Sequence, residues 1–280
     1  VSGGADGASA PALRIRGAAL HRGSRELWAG LDLDVAPGEF IAVLGPSGSG
    51  KTTLLRSILG LQPLSAGTIH VGGRVAHRGN PRIGYVPQQR PLPPDTSMRA
   101  RDLVALGVRG TRFGLPLPRR GDRGRVDQLL RDVGADHYGD RPVGLLSGGE
   151  QQRLRVGQAL ADRPALLLCD EPLSNLDLAN QRGVTDIIDR QRRENDAAVM
   201  FVTHDINPIL GRVDRILYIA GGRFVLGTPD EVLQTRVLTE LYGTPVFVLR
   251  AGDRLVVVGV PDAEPHHDHG DDESSAGAHA

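Results

Sequence analysis

A single lysine occurs in this chain of 280 residues, and it lies inside Gly45-Pro46-Ser47-Gly48-Ser49-Gly50-Lys51-Thr52. Lys and Arg together number 33, so every other basic side chain is arginine. Arginine presents a wide planar fork, whereas lysine is a compact point charge that a tight glycine turn can accommodate. The string fits G-x-x-x-x-G-K-[ST], in which backbone N–H groups cradle phosphates, the lysine reaches them and the Ser/Thr hydroxyl meets Mg²⁺. An apolar run, Phe40–Leu44, precedes it, and a helical pattern opening at Thr53 and closing at Gly60 follows. Strand, glycine loop and helix in that order aim a helix N-terminus at a bound anion.

Two later strings carry complementary chemistry. Ala165–Asp170 is an apolar strand ending in the pair Asp170-Glu171. A carboxylate at a strand tip beside a phosphate loop is placed to hold Mg²⁺, which suits Asp170, and its neighbour Glu171 can polarise an attacking water. Leu146-Ser147-Gly148-Gly149-Glu150 reads first as a capping box, Ser147-x-x-Glu150, which starts any amphipathic helix. A cap does not require Gly148 and Gly149, which weaken the first turn. Paired glycines make sense where something approaches the backbone closely, so this helix start is a candidate second anion site.

These residues need a frame to hold them. Leu13–Ala19 and Leu31–Val35 read as antiparallel strands, followed by the Phe40–Leu44 strand and its helix. Gly67–Val71 and Arg82–Val86 continue the strand pattern, and about 90–163 turns helical with Arg- and Gly-rich breaks at Arg119–Arg125. Strand and helix then alternate through Ala165–Cys169, Leu178–Glu194, Ala198–Thr203 and Arg215–Ala220. The expected architecture is an α/β core with an antiparallel β part and an inserted helical lobe. Thr228-Pro229-Asp230-Glu231 predicts one helix running to Tyr242, and Val246–Leu249 with Leu255–Val260 predicts a hairpin. Residues 1–12 and 261–280 are expected to be disordered, the latter acidic and His-rich, with the folded domain spanning 13–243 and the hairpin extension 244–260.

Composition narrows the function classes. The formal net charge is zero, which points to neither nucleic acid nor an anionic membrane surface. The lone Cys169 excludes an intrachain disulfide and suits a reducing compartment. No apolar run approaches the roughly 20 residues that span a bilayer. Val1–Ala10 is Gly-rich without a basic segment, unlike a signal peptide. With one lysine, committed to the glycine loop, no Asn-Lys-x-Asp guanine-reading motif is possible, which argues against a GTPase.

The glycine loop, Asp170-Glu171 and Leu146–Glu150 together resemble the nucleotide-binding subunit of an ATP-binding cassette (ABC) transporter, over roughly Leu13 to Gly243. The resemblance implies a P-loop ATPase using ATP and Mg²⁺. It implies a head-to-tail dimer in which Ser147, Gly148 and Gly149 of one subunit close over the P-loop of the other. By the same resemblance Gln88 is the glutamine that contacts Mg²⁺ and water (Gln89 is the weaker candidate), Asp177 communicates across the dimer, and His204 holds the γ-phosphate. The family stacks an aromatic on adenine where this chain has Arg22, so either Arg22 or neighbouring His21 takes that place, while Trp28 reads as core.

The implied partners are a second ABC subunit, an integral membrane permease and an extracytoplasmic substrate-binding protein, with the chain peripheral at the cytoplasmic face of the membrane. Pro93–Gly107 and Val237–Gly243 resemble the ATPases of bacterial zinc/manganese importers. His266-His267-Asp268-His269 with Asp271-Asp272-Glu273 is compositionally a loose metal binder and equally a solvated polar tail. An ATPase for an iron chelate or another small nutrient is the alternative. A non-transport ABC protein generally shows two cassettes or a long coiled-coil insertion, and neither is visible.

Overall fold

The computed structural model describes residues 10–23, 25–88, 92–109, 121–252 and 254–259. Segments 1–9 and 261–280, with the His-rich cluster, lie outside the described residues, as does Gln89. Order begins inside the stretch expected to be disordered, because Ala12 is buried and its N–H donates to the Val35 carbonyl over 2.8 Å.

The chain opens with β1 (Leu13–Arg22) and β2 (Arg25–Val35), an antiparallel pair. Irregular register around Ala18 and Leu20 breaks the inside-outside alternation of β1. That masks its last turns in the sequence, where the strand reading stops at Ala19. β3 (Phe40–Leu44) feeds the glycine loop and α1 (Lys51–Ile58), after which β4 (Ala66–Val71) and β5 (Arg74–Val75) return to the first sheet, ordered β2-β1-β4-β5. β6 (Ile83–Val86) leads to the helices α2 (Ala100–Arg109), α3 (Asp122–Asp132) and α4 (Gly148–Ala159). Then come β7 (Leu166–Asp170), α5 (Leu178–Asn195), β8 (Ala198–Val202), β9 (Arg215–Ala220) and β10 (Arg223–Gly227).

The second sheet runs β10-β9-β3-β8-β7-β6. β9, β3, β8, β7 and β6 pair in parallel, and β10 is an antiparallel edge. Its three central strands are buried along their whole length, the expected signature of a parallel sheet covered on both faces. Period-2 alternation divides each of them between two cores. Ile41, Val43, Leu166, Leu168, Met200 and Val202 face the antiparallel sheet and Leu54, Leu55 and Ile58 of α1. Phe40, Ala42, Leu167, Cys169, Val199 and Phe201 face the core shared with the helical lobe and α5. The Phe40 and Phe201 rings stack there with centroids 5.6 Å apart.

The single helix expected up to Tyr242 is two, α6 (Pro229–Val232) and α7 (Thr235–Tyr242). Leu233 and Gln234 leave helical dihedrals so that Leu233 can bury its side chain, and the Gln234 amide caps α6 by donating to the Asp230 carbonyl over 2.7 Å. β11 (Val246–Ala251) and β12 (Arg254–Gly259) form a separate antiparallel hairpin.

Because Phe201 is fully buried at the centre of the sheet, Phe201→Ala should lower the free energy of unfolding by about 3–5 kcal/mol. The effect should read as a lower urea midpoint with little change in slope.

Candidate functional site

In a parallel sheet the loops leaving the carboxyl ends of neighbouring strands lie on one edge, where open α/β folds bind ligands. Four such loops carry the candidate residues: Gly45–Gly50 after β3, Gln88 after β6, Asp170 and Glu171 at the end of β7, and Thr203-His204 after β8.

The glycine loop is shaped by contacts that only glycine permits. Gly45 has φ +140°, and a Cβ there would overlap the Ile219 carbonyl oxygen. At Gly50, with φ +98°, a Cβ would come within 2.9 Å of Trp28 Nε1, which ties the fully buried Trp28 to the loop's underside and gives it a core role. Lys51 is buried, and its Nζ donates to the carbonyls of Gly45 and Pro46, each at 2.8 Å. Burial pulls its pKa down, countered by the charges of Glu171 and Asp170. The ammonium is thus held inside the turn, with the first N–H groups of α1 opening beside it.

Thr52 Oγ1 donates to Asp170 Oδ1 over 3.0 Å, and the Tyr85 hydroxyl donates to Asp170 Oδ2 over 3.3 Å. Burial raises the Asp170 pKa against these two hydrogen bonds, and burial also pushes the Tyr85 phenol up to about 12, so it remains a donor. Two hard oxygen donors at this separation, beside a phosphate cradle, fit Mg²⁺. Sequence reasoning placed Tyr85 on a strand but missed this contact. Glu171 adopts the left-handed region at φ +46°, a strained conformation that recurs at functional sites. Its Oε2 accepts from Gln88 Nε2 at 3.1 Å and Ser174 Oγ at 3.2 Å, with His204 Nδ1 3.8 Å away. Gln88, Glu171 and His204 therefore converge next to Lys51. Ser174 is a second partner that the sequence alone did not single out.

Two cavities meet at Ser47, Lys51 and Glu171. The one of about 580 Å³ is lined by His21, Arg22, Gly48, Gly50, Thr52, Thr53 and Gln88. It contains the glycine loop and the α1 N-terminus, so its shape suits a phosphate chain. Among the described residues no Phe, Tyr or Trp lines it; both His21 and Arg22 do. The cavity of about 900 Å³ lies on the other side of the loop, against His204 and β12.

Neither cavity is lined by Ser147, Gly148, Gly149 or Asp177. Ser147 caps α4, accepting from the Glu150 N–H at 3.3 Å while its own N–H donates to Glu150 Oε2 at 2.7 Å. A Cβ on Gly149 would overlap the Asn180 side chain, and Asn180 is held by Asp177, the cap of α5, through bonds of 2.8 and 2.9 Å. Those bonds hold the Asp177 carboxyl below its usual range. Gly149 and Asp177 thus meet through Asn180 in one corner that lines neither cavity. Among the described residues no group of three or more His, Cys, Asp and Glu is arranged to hold a metal.

A family model described as ABC transporter matches residues 28–174. The chain is 38% identical over 237 residues to the aliphatic sulfonates import ATP-binding protein of Pseudomonas fluorescens, covering 84% of this chain and 83% of that one. It is 36% identical to the zinc import ATP-binding protein of Cereibacter sphaeroides, covering 80% and 86%. Its fold also matches a dimeric ATP-binding cassette in a post-hydrolysis state bound to ADP and Pi, at TM-score 0.65 and 26% identity, covering 77% of this chain and 98% of that one.

Lys51→Arg keeps the charge but asks a planar fork to fit between the Gly45 and Pro46 carbonyls. It should weaken nucleotide binding by roughly tenfold or more, measured by titration calorimetry on the folded variant.

Proposed function

We propose a cargo, partners and residue roles for this chain, which belongs to the ABC transporter family and is an ATPase of the import type. The observation that carries the reading is the convergence of Lys51, Gln88, Glu171 and His204 at the carboxyl ends of parallel strands, with Ser147–Gly149 lining neither cavity there. Backbone N–H groups of the glycine loop from Ser47 to Thr53 cradle the phosphates, Gly45 and Pro46 shape the turn that carries them, and Lys51 moves from its carbonyl partners to the β- and γ-phosphates. Thr52 and Asp170 hold Mg²⁺, with Gln88 beside it; the ion neutralises phosphate charge when bound. Glu171 takes the proton of the attacking water as its oxygen bonds to the γ-phosphorus and the bond to the ADP oxygen breaks. His204 supports the γ-phosphate, and Arg22 or His21 meets the adenine.

Ser147, Gly148, Gly149 and Asp177 act in trans. Their corner lines neither cavity at Lys51 within one chain, so a head-to-tail partner must supply it to close the site. Opening and closing of that dimer would drive a separate membrane permease, since no helix among the described residues is long and apolar enough to cross a membrane. The chain then sits peripherally on the cytoplasmic face, and an extracytoplasmic binding protein delivers the cargo. That cargo we take to be Zn²⁺ or Mn²⁺, on the zinc import relative and the character of residues 93–107 and 237–243. The second reading is an iron chelate or another small nutrient, and the sulfonate import relative supports a small organic one.

Glu171→Gln should abolish ATP turnover while ATP-dependent dimerisation is retained or enhanced, measured by phosphate release and light scattering. Undiminished hydrolysis would remove Glu171 from the base role. For the cargo, the chain reconstituted with the permease and binding protein encoded beside it should hydrolyse ATP faster when the binding protein is loaded with Zn²⁺ or Mn²⁺. Stimulation only by a sulfonate or an iron chelate would overturn the metal reading.

A further inference from the structure

Among the described residues, the loop that carries His204 is hydrogen-bonded to the hairpin β11–β12 through one side chain, Asn207. Asn207 Nδ2 donates to the Leu255 carbonyl at 2.9 Å, and Asn207 Oδ1 accepts from the Leu255 N–H at 2.8 Å. The amide thereby mimics a strand pairing on the free edge of β12. The second Nδ2 hydrogen goes to Asp205 Oδ1 at 2.7 Å, which also accepts the Asn207 N–H at 2.9 Å. Asp205 is in turn fastened to Thr203, whose Oγ1 accepts from the Asp205 N–H at 3.1 Å and donates to the Asp205 carbonyl at 2.8 Å. His204 is the residue between those two anchors, and its own side chain is 70% exposed. The sheet's own backbone bonding toward it ends at Thr203, whose N–H donates to the Val43 carbonyl at 3.3 Å.

The other edge of the hairpin is fixed to α7. Thr239 Oγ1 bonds both the N–H and the carbonyl of Val246 at 3.1 Å, and Thr235 Oγ1 accepts from the Val248 N–H at 3.0 Å. The hairpin therefore spans from a helix packed on the sheet to the His204 loop, and its residues Val246, Leu255 and Val257 wall the cavity that reaches Lys51 and Glu171. A two-stranded hairpin has marginal stability by itself, so its position depends on these attachments, on the Arg250–Asp230 ion pair at 2.7 Å and on Val246 and Leu255, which are buried in the same core as Ile206 and Ile209.

We propose that the hairpin sets the position of His204 relative to the glycine loop, and that Asn207 is the positioning residue that transmits it. The inference rests on the reading that His204 meets the γ-phosphate. Through that route Asn207 governs how well the site distinguishes a triphosphate from a diphosphate, although it touches neither.

The test uses the full chain, with binding of a non-hydrolysable ATP analogue and of ADP measured separately. Asn207→Ala should weaken the triphosphate analogue about fivefold, the scale of one lost hydrogen bond, and leave ADP affinity within about twofold. Asn207→Asp keeps the shape but cannot donate to Leu255 and faces Asp205, so it should shift the ratio at least as far. Whichever variant shows cooperative thermal unfolding decides the matter. An unchanged ratio, including equal loss for both nucleotides, overturns the proposal, because a generally loosened fold would weaken both alike. His204→Ala is measured in parallel. If it leaves the ratio intact, the γ-phosphate reading fails; if it collapses the ratio while the Asn207 variants preserve it, only the role of the hairpin fails.

Discussion

Parallel pairing of β3, β8, β7 and β6 is the constraint on which the rest depends. The strands share one direction, so their carboxyl ends open onto one edge, and residues far apart in sequence become neighbours there. Asp170 pairs in register with Val202, which places Glu171 beside the start of the His204 loop. A shift of one residue would do more than displace the site. It would exchange the two sets of side chains that β3, β7 and β8 send to opposite cores, turning Phe201 toward α1 and Met200 toward the helical lobe. Register is therefore fixed by packing on both faces, and the site inherits its geometry from that.

The polar groups hung from this frame are held by one another. Asp170 is buried and keeps its place through Thr52 and Tyr85, and Glu171 is bonded by Gln88 and Ser174 despite its left-handed backbone. Such strain persists only where the surroundings over-determine it. Here they do, because the Glu171 N–H is also bonded to the Val202 carbonyl at 3.0 Å.

Much of this was legible from residue type and spacing. The Phe40–Leu44 and Arg215–Ala220 strands were readable because buried parallel strands are continuous apolar runs, and the glycine loop because its spacing is dictated by phosphate. The break between α6 and α7 was hidden, since Leu233 and Gln234 do not themselves stop a helix and only the burial of Leu233 pulls the chain aside. Tyr85 and Ser174 were hidden for another reason. Their partners are acidic residues 85 and 3 positions away, and a hydroxyl on a strand or loop carries no periodic signal of what it will meet. Asn207 left even less trace, because both groups it bonds on β12 are backbone. The glycine at 149 was read through its neighbours as a place of close approach; within the chain the approaching group is Asn180.

The burial of Lys51 also has a bearing on the chain as a chemical reagent would see it. As the only lysine, it supplies the only side-chain amine, and that amine is shielded by the carbonyls of Gly45 and Pro46. Acylating agents that decorate most proteins at many side-chain amines have a single such target here, held inside the turn. Covalent occupancy of that one nitrogen would titrate the phosphate turn directly, and a lysine-specific protease has only that turn to cut.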